Sequence, residues 1–441
     1  MKEFSAIILA AGKGTRMKSA LPKPLHKIAH KPILGYAVET YKAAGALEIV
    51  IVVAPDDMLT PMLFPDLTIV VQKEQKGTAH AALTGMQGLK KIPEKIIMAV
   101  GDMPFIRQET VHSLAASNDA VTVLAMRLED PRRYGRLVVD NDGALKKIVE
   151  FKEATLEERG INLCNSGTIA LKGHMAHALL SAVKPQAIGG EYYNTDVVAI
   201  ARAQNHICGV VEASMFETSA ANTREELAVL ETMLQVQLRQ KIMLGGVTLH
   251  DPQSVYFASD TVIGQDVIIE PNVFFGPGVT IGNNVHVKAF SHIEGATISD
   301  NVEIGPFARI RPETTIEENA RIGNFVEIKK SQIGKGAKVS HLSYIGDATL
   351  GQNVNIGAGT ITCNYDGFNK NKTTIGNGAF IGSNSSLVAP VVIGDNAMVA
   401  AGSVITKLVT PEALALARGR QTEILFWAKN FRERNLKKKG K

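Results

Sequence analysis

From Ile263 onward the chain repeats. An apolar residue recurs at 269, 275, 281, 287 and 293, each six residues after the last. One five-residue step leads to 298, and the period resumes at 304, 310, 316, 322 and 328. Two further short steps carry it through 333, 339 and 345 and then 350 and 356, and after an interruption it returns at 375, 381, 387, 393, 399 and 405. These 23 positions hold 17 Ile, 3 Val, 2 Leu and a single Phe, Phe275. Glycine follows many of them, as after Ile281, Ile304, Ile322 and Ile381. A six-residue period closed by a small residue specifies a parallel β-helix. One aliphatic side chain per face points into a narrow prism, and the glycine-bearing corner turns sharply. Three units make a coil, so the run predicts roughly seven or eight coils. At a strand spacing of ~4.8 Å the prism is roughly 35 Å long. The 19 residues from Ile356 to Ile375 read as one normal unit followed by 13 inserted residues, 362–374, a loop that leaves the prism and returns in phase.

The first half has another texture. Short apolar runs at 4–10, 49–54, 67–71, 95–100 and 120–126 read as strands, and 34–44 and 78–89 as helices. Strands alternating with helices specify an α/β, Rossmann-like, mostly parallel sheet covered on both faces. Between the two textures, Leu227, Leu230, Leu234 and Leu238 share one helical face, with Asn222 or Thr223 as cap and Gly245-Gly246 as stop. The expected organisation is a first domain at 1–222, a linker helix at 223–243 and a β-helix domain with a tail at 244–441.

Composition narrows the function classes. The 48 basic and 43 acidic residues leave a net charge of +5, which suits phosphorylated small molecules and gives no reason to expect nucleic acid. The basic end, 437–441, reads as a solvated tail. Three scattered cysteines, Cys164, Cys208 and Cys363, argue against a disulfide framework or structural zinc and fit a reducing cytoplasm. The apolar stretch at 6–11 is too short for a signal sequence, and the longest charge-free run, 373–394, is broken by Gly, Asn, Ser and Pro. No membrane insertion is expected.

After the first strand comes Leu9-Ala10-Ala11-Gly12-Lys13-Gly14-Thr15-Arg16-Met17. Its glycines let backbone wrap a phosphate, and Lys13 and Arg16 add charge. It is neither a Walker loop, since Gly follows the lysine, nor a dinucleotide fingerprint, since Met17 takes the third glycine position. Downstream, Leu21-Pro22-Lys23-Pro24-Leu25 holds a lysine rigidly between prolines, as suits a charge meeting a developing phosphoryl anion. The run 95–100 ends in Gly101-Asp102, a carboxylate at the carboxyl end of a buried strand, where ligands bind in open α/β sheets. Asp102 reads as a Mg²⁺ ligand, or more plainly as a helix cap before Pro104.

The first two motifs resemble those of sugar-nucleotide pyrophosphorylases, and the repeat resembles the left-handed hexapeptide-repeat acyltransferases, many of them trimeric. Gln72 and Gly77-Thr78, Gly135 after Tyr134, Glu150 in Ile-Val-Glu-Phe-Lys, Asn165-Ser-Gly and the run 191–196 extend the match. Nearly the whole chain resembles the bacterial bifunctional N-acetylglucosamine-1-phosphate uridylyltransferase/glucosamine-1-phosphate N-acetyltransferase family, whose product, UDP-N-acetylglucosamine, feeds peptidoglycan and lipopolysaccharide precursors. The resemblance implies that Leu9, Ala10, Ala11, Gly12, Gln72, Gly77 and Thr78 contact the uridine nucleotide. It implies that Gly135, Glu150 and Asn165 hold the amino sugar, that Asp102 and Asn222 bind Mg²⁺, and that Arg16 and Lys23 act on the phosphates. Ser166 stands where relatives often have Thr. Attack of the sugar phosphate oxygen on the α-phosphorus needs positioning and charge neutralisation rather than a covalent nucleophile. Uracil specificity is implied only by the resemblance.

In the repeat, His341 stands out in Val339-Ser-His-Leu-Ser-Tyr344, because a large imidazole just past a corner is poor prism filler. A neutral His is the usual base near pH 7 for an amine attacking a thioester, and the resemblance gives His341 that role toward acetyl-CoA. It further implies that Arg311, Lys329, Tyr344 and Asn355 bind glucosamine 1-phosphate, and that Ala358, Asn364, Tyr365, Ser383, Ala401 and Arg418 bind acetyl-CoA. Arg binds a phosphate bidentately and Lys as a point charge; small residues leave room for a pantetheine arm. Direct transfer to the amine is expected, without Cys363 as acyl carrier. His174 and His177 lack a nearby acid pair and read as non-ligands.

Flat prism faces pack side by side, and three copies close a ring. A homotrimer is expected, with the acetyltransferase site shared between subunits as the resemblance implies and the uridylyl site within one domain. Two other readings remain: a pyrophosphorylase whose β-helix serves assembly or regulation, and a pair of interaction modules. His341 and Lys329 speak against the first; Arg16, Lys23 and Asp102 against the second.

Overall fold

Strands that are apolar on both faces must be covered on both sides. Phe4–Leu9, Ile49–Val53 and Lys95–Val100 are of this kind and are buried almost throughout. The computed structural model describes residues 2–131, 134–186 and 190–439, and the chain divides into two units, Met1–Gln237 and Leu238–Lys441. In the first unit the sheet runs in the order Cys208–Ala213, Val121–Arg127, Leu163–Lys172, Lys95–Val100, Phe4–Leu9, Ile49–Val53, Thr68–Val71. The strands from Lys95–Val100 to Thr68–Val71 are parallel.

Leu163–Lys172 is the exception, antiparallel to both neighbours. The sequence hid it, because Asn165-Ser166-Gly167 interrupts the apolar pattern and the register shifts between Asn165 and Ile169. A hairpin of Arg136–Val139 and Leu145–Val149 attaches beside it. Separate buried clusters fill the two faces of the sheet.

The connecting helix spans Arg224–Leu244. The Thr223 hydroxyl accepts from Glu226 N at 3.1 Å, while the Glu226 carboxylate accepts from Asn222 N at 2.6 Å. Thr223 is therefore the cap, which releases the Asn222 side chain for other work. Leu230 and Leu234 are buried; the division between the units falls within this helix.

The second unit is a left-handed parallel β-helix of three sheets with ten, nine and eight strands. It is longer than the sequence count of seven or eight coils, because the periodic core begins before Ile263, at Thr248–Leu249, and ends after Ile405, at Leu414–Ala415. The terminal rungs lack isoleucine and so escaped the pattern. Every register residue is buried except Ile263, which is partly exposed. A second inward residue precedes most of them by two positions, as Val267, Ala320 and Ser331 precede Ile269, Ile322 and Ile333. The period-two alternation of a strand puts both on one face, and the smaller one fills the narrow corner.

The inserted segment is shorter than expected. Thr362 lies in the strand Ile361–Cys363, is paired with Leu387 and is 1% exposed. Its hydroxyl accepts from Gly346 N at 2.8 Å, so a threonine can take an inward position that the aliphatic register passes over. The chain is back in phase at Thr373–Ile375, so only 364–372 leave the prism. There Tyr365 bridges Lys370, and Asp366 Oδ1 accepts from Phe368 N and Asn369 N at 2.8 and 2.6 Å. Phe368, at the tip, is 93% exposed. The basic end is a helix, Trp427–Lys439, with no buried residue; Gly440 and Lys441 lie outside the described residues.

Candidate functional site

The carboxyl ends of Phe4–Leu9 and Lys95–Val100 open onto a cavity of ≈480 Å³. Leu9, Ala10, Ala11, Gly12, Arg16, Lys23, Gln72, Gly77, Thr78, Asp102 and Asn222 all line it. Four distant stretches of sequence meet there. Lys23 Nζ is ion-paired with Asp102 Oδ2 and donates to Asn222 Oδ1 at 3.1 Å. Arg16 Nη2 donates to the same Asn222 oxygen at 3.0 Å. The two oxygen donors proposed for a cation thus already converge on the Lys23 ammonium. A carboxylate and a carboxamide oxygen around one positive charge fit a hard divalent cation.

Two glycines make the loops possible. Gly14 has φ +57°, and a side chain there would lie 3.0 Å from Lys23 Cβ, so the phosphate loop and the lysine loop pack against each other at this point. Gly77 has φ +111°, and a Cβ would meet the Tyr192 carbonyl at 2.6 Å. This close approach starts the helix Thr78–Met86, where Thr78 exchanges bonds with Asn194. Gln72 Nε2 donates to the Gly77 carbonyl at 3.1 Å. Gln75 and Glu191 also line the cavity, and Gln75 Nε2 donates to the Ala11 carbonyl at 2.5 Å. Neither was given a role from sequence, although both lie in runs that carry the family match.

Gly135, Glu150 and Asn165 form a second group. Asn165 N donates to the Gly135 carbonyl at 2.9 Å, and a Cβ on Gly135 would stand 3.2 Å from Glu150 Oε1. The register shift at Asn165 turns its side chain back to accept from Gly167 N at 2.9 Å. Burial, ahead of the negative charges of Glu153 and Asp196, raises the Glu150 carboxyl above the ordinary glutamate value. His174 and His177 lie on the helix Gly173–Ser181, and the described residues hold no group of three or more His, Cys, Asp or Glu side chains placed to share a metal ion.

In the prism the candidate residues follow the coil register. Ile310 pairs with Ile328, so Arg311 and Lys329, each one residue further, are neighbours on successive rungs. Arg311 Nη1 bonds Glu327 Oε1 at 2.8 Å. Lys370, from the excursion, is held below the ordinary lysine value first by its contact with the Lys329 ammonium. Sequence reasoning missed Lys370 because no register predicts where a loop returns. The Tyr344 hydroxyl lies over Gly346, where any Cβ would meet it, and Asn364 Nδ2 donates to Asp347 Oδ2 at 2.5 Å. Asn364 is buried, whereas Tyr365 is exposed. Asn355 pairs with Lys338 and Phe380 on the adjoining sheet.

One corner carries the rest. His341, Ala358, Ser383 and Ala401 each stand two residues past a paired register residue, Val339, Ile356, Ile381 and Val399. They therefore stack along a single edge. Arg418 continues it, its Nη1 donating to the Ala401 carbonyl at 2.9 Å. His341 Nδ1 lies 2.6 Å from Asn324 Oδ1. A carbonyl oxygen only accepts, so Nδ1 carries a proton, and in the neutral ring the lone pair is on Nε2. No helix among the described residues is long and apolar enough to cross a membrane.

Comparison with known proteins agrees with both halves. Residues 6–218 match the MobA-like NTP transferase domain, 260–295 and 372–407 the six-repeat bacterial transferase hexapeptide, and 292–365 the GMPPB C-terminal domain. The chain is 49% identical to the Bifunctional protein GlmU of Zymomonas mobilis over 447 residues, 99% of each chain. It is 48% identical to that of Paramagnetospirillum magneticum, over 100% of this chain and 99% of the relative.

Proposed function

The chain belongs to the GlmU family of bifunctional proteins, and on that premise we propose that it makes UDP-N-acetylglucosamine in two steps at separate sites. The prism transfers an acetyl group from acetyl-CoA to glucosamine 1-phosphate. The first unit then joins the product to UTP and releases pyrophosphate. The observation that carries the reading is the meeting of Arg16, Lys23, Asp102 and Asn222 in one cavity of one unit, while His341 heads a corner ladder in the other.

In uridylyl transfer, an oxygen of the sugar phosphate attacks the α-phosphorus, and the bond to the β-phosphate oxygen breaks. Arg16 and Lys23 neutralise charge on the phosphates, and the exposed Gly12, with nothing within 4 Å of where a Cβ would stand, leaves its backbone open to them. Glu150, Asn165 and Gly135 hold the amino sugar. Asp102 and Asn222 would hold Mg²⁺, which when bound supplies charge neutralisation at the phosphates.

In acetyl transfer, His341 Nε2 takes the proton lost by the amine as its nitrogen bonds to the thioester carbon and CoA sulfur leaves. Asn324 keeps the tautomer. Arg311, Lys329 and Lys370 bind the sugar phosphate; the mutual repulsion of Lys329 and Lys370 is relieved by an anion between them. Ala358, Ser383, Ala401 and Arg418 line the path of acetyl-CoA. The protruding excursion with Phe368 at its tip supports a homotrimer in which Tyr365 and its neighbours complete an adjacent site, acting in the cytoplasm. Product analysis with glucosamine 1-phosphate, acetyl-CoA, UTP and Mg²⁺, omitting one component at a time, tests the scheme. Formation of the nucleotide sugar without acetyl-CoA from glucosamine 1-phosphate would overturn the order of steps.

A further inference from the structure

The loops that bring Arg16 and Lys23 to the cavity are held from a second point, two residues beyond Asn222. Arg224 Nε donates to the Met17 carbonyl at 3.3 Å, at the end of the phosphate loop. Arg224 Nη1 lies 3.0 Å from His26 Nδ1, at the end of the lysine loop. His26 is itself fixed: its backbone N donates to the Lys23 carbonyl at 3.3 Å and its carbonyl accepts from Ile33 N at 2.9 Å. The guanidinium has only donors, so His26 Nδ1 accepts and the ring is neutral with its proton on Nε2. The ring is 4% exposed, and Nε2 is buried without a well-formed hydrogen bond, although the Leu21 backbone gives it some polar company. Leaving one nitrogen of a buried imidazole poorly satisfied costs stability, which calls for a task at the other nitrogen to explain it.

Burial, followed by the Arg224 charge, holds His26 below the ordinary histidine value, which keeps the acceptor lone pair available. The segment 222–224 therefore grips each loop twice. Asn222 Oδ1 accepts from both cationic heads, and Arg224 donates to both loop ends. Arg16 and Lys23 are long side chains with much rotamer freedom. Holding their heads in place demands that their loop backbones be fixed relative to each other, and the Arg224 contacts do that without touching the cavity, which neither residue lines.

We propose that Arg224 and His26 are positioning residues for uridylyl transfer, a pair that clamps the phosphate loop and the lysine loop into the register that Asn222 requires. The inference rests on the nucleotidyl-transfer reading of this cavity. Its chemistry is geometric: loosening the clamp spreads the Arg16 and Lys23 charges without removing either, so transition-state stabilisation falls more than ground-state binding.

The test uses the full chain and measures kcat and KM for UTP and for N-acetylglucosamine 1-phosphate, with acetyl transfer in the same preparation as a folding control. Arg224→Ala and His26→Leu are expected to lower the uridylyl kcat about tenfold to a hundredfold, with KM for either substrate changed by less than about threefold. Acetyl transfer stays within about twofold of the unaltered protein, since neither residue belongs to the prism. His26→Asn, whose carboxamide oxygen stands near the place of Nδ1, is expected to recover most of the loss, and Arg224→Lys less, because one ammonium cannot reach two acceptors in fork geometry. If His26→Leu proves unstable, the comparison of His26→Asn with Arg224→Ala carries the test alone. Unchanged kcat in folded Arg224→Ala, a loss confined to KM, or no difference between the Asn and Leu replacements at 26 would overturn the clamp. Absence of UTP-dependent activity in the unaltered protein would instead overturn the reading beneath it.

Discussion

The two candidate sites are built on opposite plans. In the first unit, residues 16, 23, 102 and 222 come together only because a sheet brings the ends of separate strands to one rim. Nothing in their spacing foretells the meeting. In the prism, 311 with 329, and 341 with 358, 383 and 401, are fixed multiples of the coil apart once the short steps and the excursion are allowed for. A solenoid converts sequence register directly into spatial adjacency. Its site can therefore be read by counting, whereas the site on the sheet has to be read from motifs whose chemistry is already understood.

Independence is the first consequence, and it can be broken by experiment. The largest effect is expected at His341: replacement by Ala should lower acetyl transfer by about 10²–10⁴, the contribution of a general base, while uridylyl transfer in the same protein is unaltered. Next comes Asp102→Ala, for which uridylyl transfer should fall by about 10²–10³, the scale of a lost electrostatic stabiliser, with acetyl transfer preserved. Parallel assays of both reactions on each variant decide the matter; equal losses in both would show the sites to be one coupled device.

A smaller change sharpens the counting argument. Asn324 and His341 are paired residues on adjacent rungs, so Asn324→Ala should remove the tautomer control and reduce acetyl transfer roughly tenfold, with little effect on KM for acetyl-CoA. Steady-state kinetics would reveal a merely packing role as a loss of stability at unchanged kcat. The subtlest expectation concerns pH. The folded protein holds the Glu150 proton to higher pH than the unfolded chain does, chiefly through burial. This group's contribution to stability is therefore present at low pH and is lost as pH rises through the folded value. In the proposed reaction, sugar binding by the Glu150 carboxylate runs the other way and rises with pH through that window. Glu153→Gln, removing a like charge, should move the acid limb of uridylyl kcat/KM to lower pH, and a limb that stays put would detach Glu150 from sugar binding.

The same contrast explains what sequence could disclose. The isoleucine register announced the prism but missed its terminal rungs, the small second inward residues such as Ala320 and Ser331, and the inward Thr362, because burial there is satisfied by size or by hydrogen bonding rather than by an aliphatic side chain. The antiparallel strand Leu163–Lys172 was hidden because the polar run Asn165-Ser166-Gly167 breaks its apolar pattern where the register shifts. Lys370 was hidden because its loop leaves the lattice. Arg224 and His26 were passed over because each is unremarkable alone; only their shared geometry with Asn222 gives them a task.

The excursion at 364–372 departs between strands that pair in phase on both sides, Thr362 with Leu387 and Leu350 with Ile375. That arrangement constrains how a gene for such a chain can change length. One extra codon inside a strand would turn its inward residues outward and expose the core, whereas a stretch added at a corner leaves the stack undisturbed. Among descendants of this design, length should vary freely at corners and in whole coils of about 18 residues, so that new recognition elements arise as appendages to an unaltered lattice.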